Sequence, residues 1–196
     1  MIKRLVIIIF VFISVTTTNL FSIEPDVFVQ STVNRASKLL SEDISKEEKV
    51  NQLQVIARET VDIQGIGNYT LGAARKTLNE EEKKEYAILF EKYFLKSFSS
   101  RLAEYTNPEI DVSDKEIIND NYTIVNSTLK ATAERPEIRI DWRIYTKDPE
   151  NLLIRDLIIE GLSLARTQKE EFASVLNSND GNIKELFITL KKFINE

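Results

Sequence analysis

The hydrophobic period of this chain changes twice, and no other feature of the sequence limits its fold as tightly. Apolar residues recur at helical spacing as far as Tyr105, at alternating positions between about Ile110 and Glu160, and at helical spacing again after Gly161. Helices, then an antiparallel meander, then helices is the order of an α+β fold. The expectation is an antiparallel sheet of about four strands packed against several helices around an apolar interior. No internal repeat, low-complexity tract or linker interrupts the pattern, so residues 23–196 read as a single domain.

The helical part has legible ends. Pro25 and Asp26 open a first helix to about Leu40, with Val29, Val33, Ala36 and Leu40 on one face. Ser45-Lys46-Glu47-Glu48 has the form of a capping box and starts a second helix through Leu53, Ile56, Thr60 and Ile63. Gly65 and Gly67 are expected to end it, and a short helical turn follows around Tyr69 to Gly72. Asn79, with Glu82 after it, begins the longest helix, which runs to about Tyr105 and is closed by Pro108. Tyr86, Phe90, Tyr93, Phe94, Phe98, Leu102 and Tyr105 fall on one broad side of it. Such a stripe either fills a core or walls an apolar cavity.

Strands are expected over about Ile110 to Ile118, Tyr122 to Ala133, Glu137 to Thr146 and Leu152 to Glu160, broken by Asn119-Asp120-Asn121, Arg135-Pro136 and Asp148-Pro149. Ile138, Ile140, Trp142 and Ile144 alternate with Arg139, Asp141, Arg143 and Tyr145, which gives one apolar face and one wet face. Beyond Gly161, Thr167 with Glu170 is expected to cap a helix through Phe172, Val175 and Leu176. Asp180-Gly181 then turns into a last helix striped by Ile183, Leu186, Phe187, Leu190, Phe193 and Ile194.

Ahead of the domain, residues 1–22 have the three parts of a secretory signal peptide: basic Lys3 and Arg4, an apolar run from Leu5 to Val15, and a polar approach from Thr16 to Ser22. The run of about 11 residues falls short of the ~20 that span a bilayer. Cleavage is expected after Ser22, leaving a soluble, exported protein. Without Lys3 and Arg4 the 26 basic residues become 24, against 31 acidic ones, a net charge of −7. That balance offers no basic stripe for nucleic acid and little attraction to anionic lipid surfaces. With no cysteine, the fold rests on packing alone.

The chain also has no histidine, so serine or cysteine triads, zinc sites and redox CxxC pairs are all excluded. Asp141, Asp156 and Glu160 remain, and a carboxylate in an apolar cone acts as a general base in ketosteroid isomerase-like folds. Alternation places Asp141 on the wet face. Asp156 and Glu160 share a face with Ile154 and Ile158, where capping a loop or pairing with Arg139, Arg143 or Arg155 is the commoner role. Gly65, Gly67 and Gly72 lack the spacing of a phosphate-binding loop. No catalytic or metal-ligating residue is assigned, and the chain is not expected to be an enzyme.

Two stretches carry a resemblance. The first is Tyr69-Thr70-Leu71-Gly72-Ala73-Ala74-Arg75-Lys76-Thr77-Leu78, leading into the helix with Leu89 and Phe90. The second runs through Ile140-Asp141-Trp142-Arg143 and Asp156 to Glu160-Gly161-Leu162-Ser163-Leu164 and Thr167-Gln168-Lys169-Glu170-Glu171-Phe172-Ala173. In order and spacing the chain resembles the periplasmic phospholipid-binding component of the Mla pathway, the toluene-tolerance family, which includes hopanoid-associated relatives. Arg75 stands where many relatives carry tryptophan, and Lys169 where they carry arginine, which keeps the charge but loses a planar fork.

The resemblance implies a monomeric periplasmic carrier with no cofactor and one phospholipid as cargo, tails inside a cavity between sheet and helices. Its implied partners are an inner-membrane MCE/ABC transporter complex and an outer-membrane lipoprotein–porin complex, and its implied role is maintaining outer-membrane lipid asymmetry. Tyr69, Leu71, Phe90, Phe94, Phe98, Ile140, Trp142, Leu157, Ile159 and Phe172 are the expected cavity wall. Gly161 is expected to allow the strand-to-helix bend, Ser163 to cap the turn after it, and Arg166 and Lys169 are candidates to approach a phosphate. A small-molecule enzyme with a cone-shaped site, a hopanoid carrier and a cargo-free adaptor of membrane transport complexes are the alternatives.

Overall fold

The computed structural model describes residues 23–196; the leader read in residues 1–22 lies outside the described residues. Helices α1 (Pro25–Ser41), α2 (Lys46–Thr60), α3 (Ile63–Thr70), a 3-10 turn (Gly72–Lys76) and α4 (Glu80–Leu102) precede the sheet. Strands β1 (Ile110–Asn119), β2 (Tyr122–Leu129), β3 (Ile138–Tyr145), β4 (Leu153–Ile159) and β5 (Leu162–Ser163) follow, and then helices α5 (Leu164–Asn177) and α6 (Ile183–Asn195). The sheet is an antiparallel meander in the order β1-β2-β3-β4-β5. This is the α+β architecture that the two changes of period indicate, with β5 as a fifth strand too short to show a period of its own.

Helix starts follow side-chain chemistry. Asn79 and Glu82 form the full reciprocal box at α4, with bonds of 2.9 and 3.0 Å. At α2 only half of it forms: Ser45 Oγ accepts from the Glu48 amide at 3.1 Å, while the Glu48 carboxylate accepts from Gln52 instead. At α5 the expected cap is corrected. Ser163 Oγ accepts from the Arg166 amide at 3.1 Å, and Thr167 sits inside the helix with its hydroxyl donating to the Ser163 carbonyl. Ser163 is the last residue of β5 and itself caps α5, so the helix begins three residues before Thr167.

Gly65 and Gly67 do not end a helix, as the sequence suggested; they lie within α3. The break comes earlier, where Val61 forms a parallel bridge to Ile154 and the Asp62 amide donates to the Ile154 carbonyl at 3.0 Å. Asp62 then starts α3, its carboxylate accepting from the Gly65 amide at 2.7 Å and pairing with Arg155. Gly67 is required by close approach: a Cβ there would lie 2.8 Å from the Phe90 ring.

Register places Ile138, Ile140, Trp142 and Ile144 on one sheet face with Val125 and Leu129 of β2 and Ile154, Leu157 and Ile159 of β4. Helices α1, α2 and α4 cover this face, α3 and α5 close the β4 edge, and α6 packs on α4. Lys96 Nζ holds α6 by donating to the carbonyls of Phe193 and Ile194 at 3.0 and 3.1 Å, two of the carbonyls that a helix end leaves unpaired. On the opposite face Asp141 is not solvated, as alternation suggested, but only 8 % exposed. Arg139 Nε and Asn126 Nδ2 donate to its Oδ1 at 2.9 and 2.8 Å, so the carboxylate is paired by its neighbours on the same face rather than by water.

Candidate functional site

The site is an apolar hollow between the sheet and α4. On the sheet side, two cross-strand pairs, Ile140 with Ile159 and Trp142 with Leu157, present a four-residue apolar floor. Trp142 is fixed in orientation because its Nε1–H donates to Ser127 Oγ at 2.8 Å, and that hydroxyl donates onward to the Ile140 carbonyl at 3.0 Å. Facing them, the α4 stripe stacks Phe90 on Phe94 and Phe94 on Phe98, with ring centroids 6.1 and 5.5 Å apart.

The space between has two adjoining lobes. One, of about 210 Å³, lies toward α5 and is lined by Tyr93, Phe94, Phe98, Leu157, Leu164 and Ala165 among others. The second, of about 130 Å³, lies toward α1 and α2 and is lined by Val33, Leu40, Leu53, Ile140 and Ile159 among others. Val61, Phe98, Trp142, Ile154 and Leu157 belong to both. Ser97, Arg101, Thr167, Gln168 and Glu171 give the first lobe a polar rim, with Arg101 and Glu171 exposed. Tyr93 spans floor and rim: its hydroxyl donates to Gln168 Oε1 at 2.6 Å, and burial, with Glu171 nearby, pushes its pKa above the ordinary phenol value.

Seven of the ten residues singled out from the sequence stand on this wall: Phe90, Phe94, Phe98, Ile140, Trp142, Leu157 and Ile159. Three stand elsewhere. Tyr69 is exposed under Lys169, whose Nζ lies 4.9 Å from its ring centroid. Leu71 is buried along a separate groove between α3 and α4. Phe172 is buried edge-on to Phe90 at 6.2 Å and backs the wall rather than lining it. Arg166 and Lys169 do not line the hollow; Arg101, in the last turn of α4, is the cation that does. Val61 and Ile154 were not legible as wall residues, because the bridge that joins them has no periodic signature.

The carboxylates are committed to structure. Asp156 borders the hollow but is 4 % exposed, and its two oxygens accept from Ser163 Oγ at 2.6 Å and the Ala165 amide at 3.0 Å. Arg143 lies 3.9 Å away. Asp156 therefore anchors the first turn of α5, where a negative charge also suits the helix dipole. Glu160 is likewise engaged, accepting from the Arg139 amide at 2.5 Å. What the arrangement offers chemically is an apolar chamber with a polar rim.

Comparisons with known proteins point the same way. The fold matches the solved structure of a phospholipid-binding protein from Ralstonia solanacearum in complex with a phospholipid, with a TM-score of 0.74 over 88 % of this chain and 98 % of that one, at 18 % sequence identity. A search of curated proteins finds no match. The family model described as MlaC protein matches residues 30–192, which takes in the sheet, the aromatic stripe and the helices around the hollow. On that match, this chain belongs to the MlaC protein family.

Proposed function

We propose that this protein is a periplasmic phospholipid carrier that holds acyl tails in the hollow between sheet and α4 and presents the headgroup at the rim. The observation that carries the reading is the apolar, two-lobed chamber opening at Arg101, Gln168 and Glu171, in a family whose solved fold neighbour is a phospholipid complex. Two tails of about 16 carbons hold some 30 methylenes, and at about 0.8 kcal/mol each their exposure to water costs roughly 25 kcal/mol. A carrier need not recover that sum as net affinity, because lipid leaves one apolar medium for another. It needs only a chamber that matches the bilayer within a few kcal/mol.

The lobes are smaller than the ~300–1,000 Å³ of common ligand sites. Loading therefore means spreading half-buried side chains such as Phe94, Phe98, Leu157 and Ile159. The family supports exchange with an inner-membrane MCE/ABC transporter and an outer-membrane lipoprotein–porin complex, in service of outer-membrane asymmetry. The protein acts as a monomer in this reading. A hopanoid cargo is a distinct outcome of the same test. Phe94→Glu puts an ionisable group in the wall at a half-buried position. Lipid extracted from protein purified without detergent is expected to fall at least about tenfold in this variant while its circular dichroism stays native. Undiminished phospholipid in Phe94→Glu would remove the hollow as its binding place, and a hopanoid in the wild-type extract would replace the cargo.

A further inference from the structure

A second concavity lies on the other side of Phe90. Helices α3 and α4 flank a groove of about 660 Å³, larger than the two lobes of the hollow together, and Phe90 lines both spaces. Helical spacing builds its walls: Ile63, Gly67 and Leu71 follow one another along α3, and Lys84, Ile88 and Glu91 along α4. Leu71, Tyr86 and Phe90 are buried where they line it, and Ile88 beside them is 57 % exposed. The rim is basic, with Arg75, Lys76, Lys83 and Lys84 set against one acid, Glu91. Lys83 is occupied by Glu80 at 2.8 Å, and Glu91 by Arg58 at 3.1 Å. Arg75, Lys76 and Lys84 are exposed and have no ion pair among the described residues. Helix stability does not account for Lys84, since a cation near a helix N-terminus opposes the dipole. Three unpaired cations beside an exposed isoleucine stand out in a chain whose overall charge is negative.

Cations alone would suit any polyanion, and apolar walls alone any greasy segment. Together they fit an occupant with carboxylates along one edge and aliphatic side chains along one face, the pattern of an acidic amphipathic helix. An anionic bilayer fits poorly, because a broad charged surface meets the negative field of the whole domain. A segment seated in the groove instead meets the three cations inside one screening length, about 8–10 Å. We propose that the groove is a docking site for an acidic amphipathic segment of a partner protein, its carboxylates on Arg75, Lys76 and Lys84 and its aliphatic side chains on Ile88 and the α3 wall. The purpose of docking rests on the carrier reading: Phe90 places the seated segment one ring away from the hollow.

The probe is a fluorescein-labelled peptide of glutamate and leucine, about 18 residues long with leucine at helical spacing, titrated with the full chain at physiological salt. Saturable binding that weakens as salt rises is expected. A peptide with glutamine in place of glutamate is expected to bind at least about tenfold more weakly. Lys84→Glu, and separately Ile88→Ser, are each expected to weaken the acidic peptide about tenfold. Lys147→Glu makes the same change in net charge at an exposed lysine that does not line the groove, and leaves binding unchanged. Phospholipid carried by Lys84→Glu stays at the wild-type amount, because Lys84 lines neither lobe. No binding of the acidic peptide to wild type, equal binding of the glutamine peptide, or equal losses in Lys84→Glu and Lys147→Glu overturns the docking site and leaves the carrier intact. Flotation with phosphatidylglycerol vesicles or self-association, abolished in either case by Lys84→Glu, overturns it in favour of a lipid surface or a second copy of this chain. Wild-type protein that takes up no lipid yet binds the peptide through Lys84 and Ile88 would remove the carrier reading and keep the docking site.

Discussion

At the residue scale, the polar groups inside this domain are spent on holding apolar walls in place, and Tyr86 shows the rule where it is easiest to measure. It is 3 % exposed, stacks on Phe90 with ring centroids 5.7 Å apart, and hydrogen-bonds with Thr70 Oγ1 at 2.8 Å. Burial pushes its phenol pKa well above the ordinary value near 10. The unfolded chain ionises this group near pH 10, whereas the folded chain keeps it protonated to higher pH. Its contribution to stability is therefore intact below about pH 10 and is lost as pH rises beyond it. Tyr86→Phe is expected to cost about 1 kcal/mol at neutral pH through the lost hydrogen bond, and yet to flatten the fall in stability between about pH 9 and 11. Urea midpoints across that range check both signs; a decline as steep as in wild type would contradict the assignment. Asp156 obeys the same rule. Its buried place on β4, beside β3 with Arg139 and Arg143, was legible as a cap or an ion pair, and it is both. Asp141 was misread because alternation says which face a side chain takes, not which neighbours on that face bond to it and cover it.

At the element scale, α3 is the part that sequence reasoning placed worst and that packing explains best. Two glycines in three residues read as a terminator, since glycine weakens a helix by about 1 kcal/mol. Here they permit contact. Gly67 lets α3 lie against the Phe90 ring, and Phe90 in turn borders the hollow. Gly67→Ala would gain helix propensity on an isolated helix and is expected instead to destabilise the protein by about 1–3 kcal/mol, because a buried ring must move. Thermal denaturation checks the sign: a raised midpoint would show that the glycine serves the helix rather than the contact. Elements with strong local chemistry were legible, among them α4 with its complete capping box and β3 with strict alternation. The junction at Val61 was not, because a single bridged residue leaves no period to read.

At the scale of the whole molecule, the order of periods sufficed for the layers of the fold, and the apolar face of β3 and β4 with the α4 stripe sufficed for most of the wall. The hollow itself was not legible in the apolar pattern; only the resemblance implied it. An apolar stripe looks the same whether its neighbours fill the space or leave it open, so only coordinates distinguish a core from a chamber. Here Phe94, Phe98, Leu157 and Ile159 remain half-buried although they face the interior, and the two lobes lie between them. The central claim is that this space is where fatty tails reside. Native mass spectrometry of the protein, purified without detergent, tests it most directly. The expected mass is that of the polypeptide plus one phospholipid. A bare polypeptide, both as purified and after incubation with phospholipid vesicles, would contradict it.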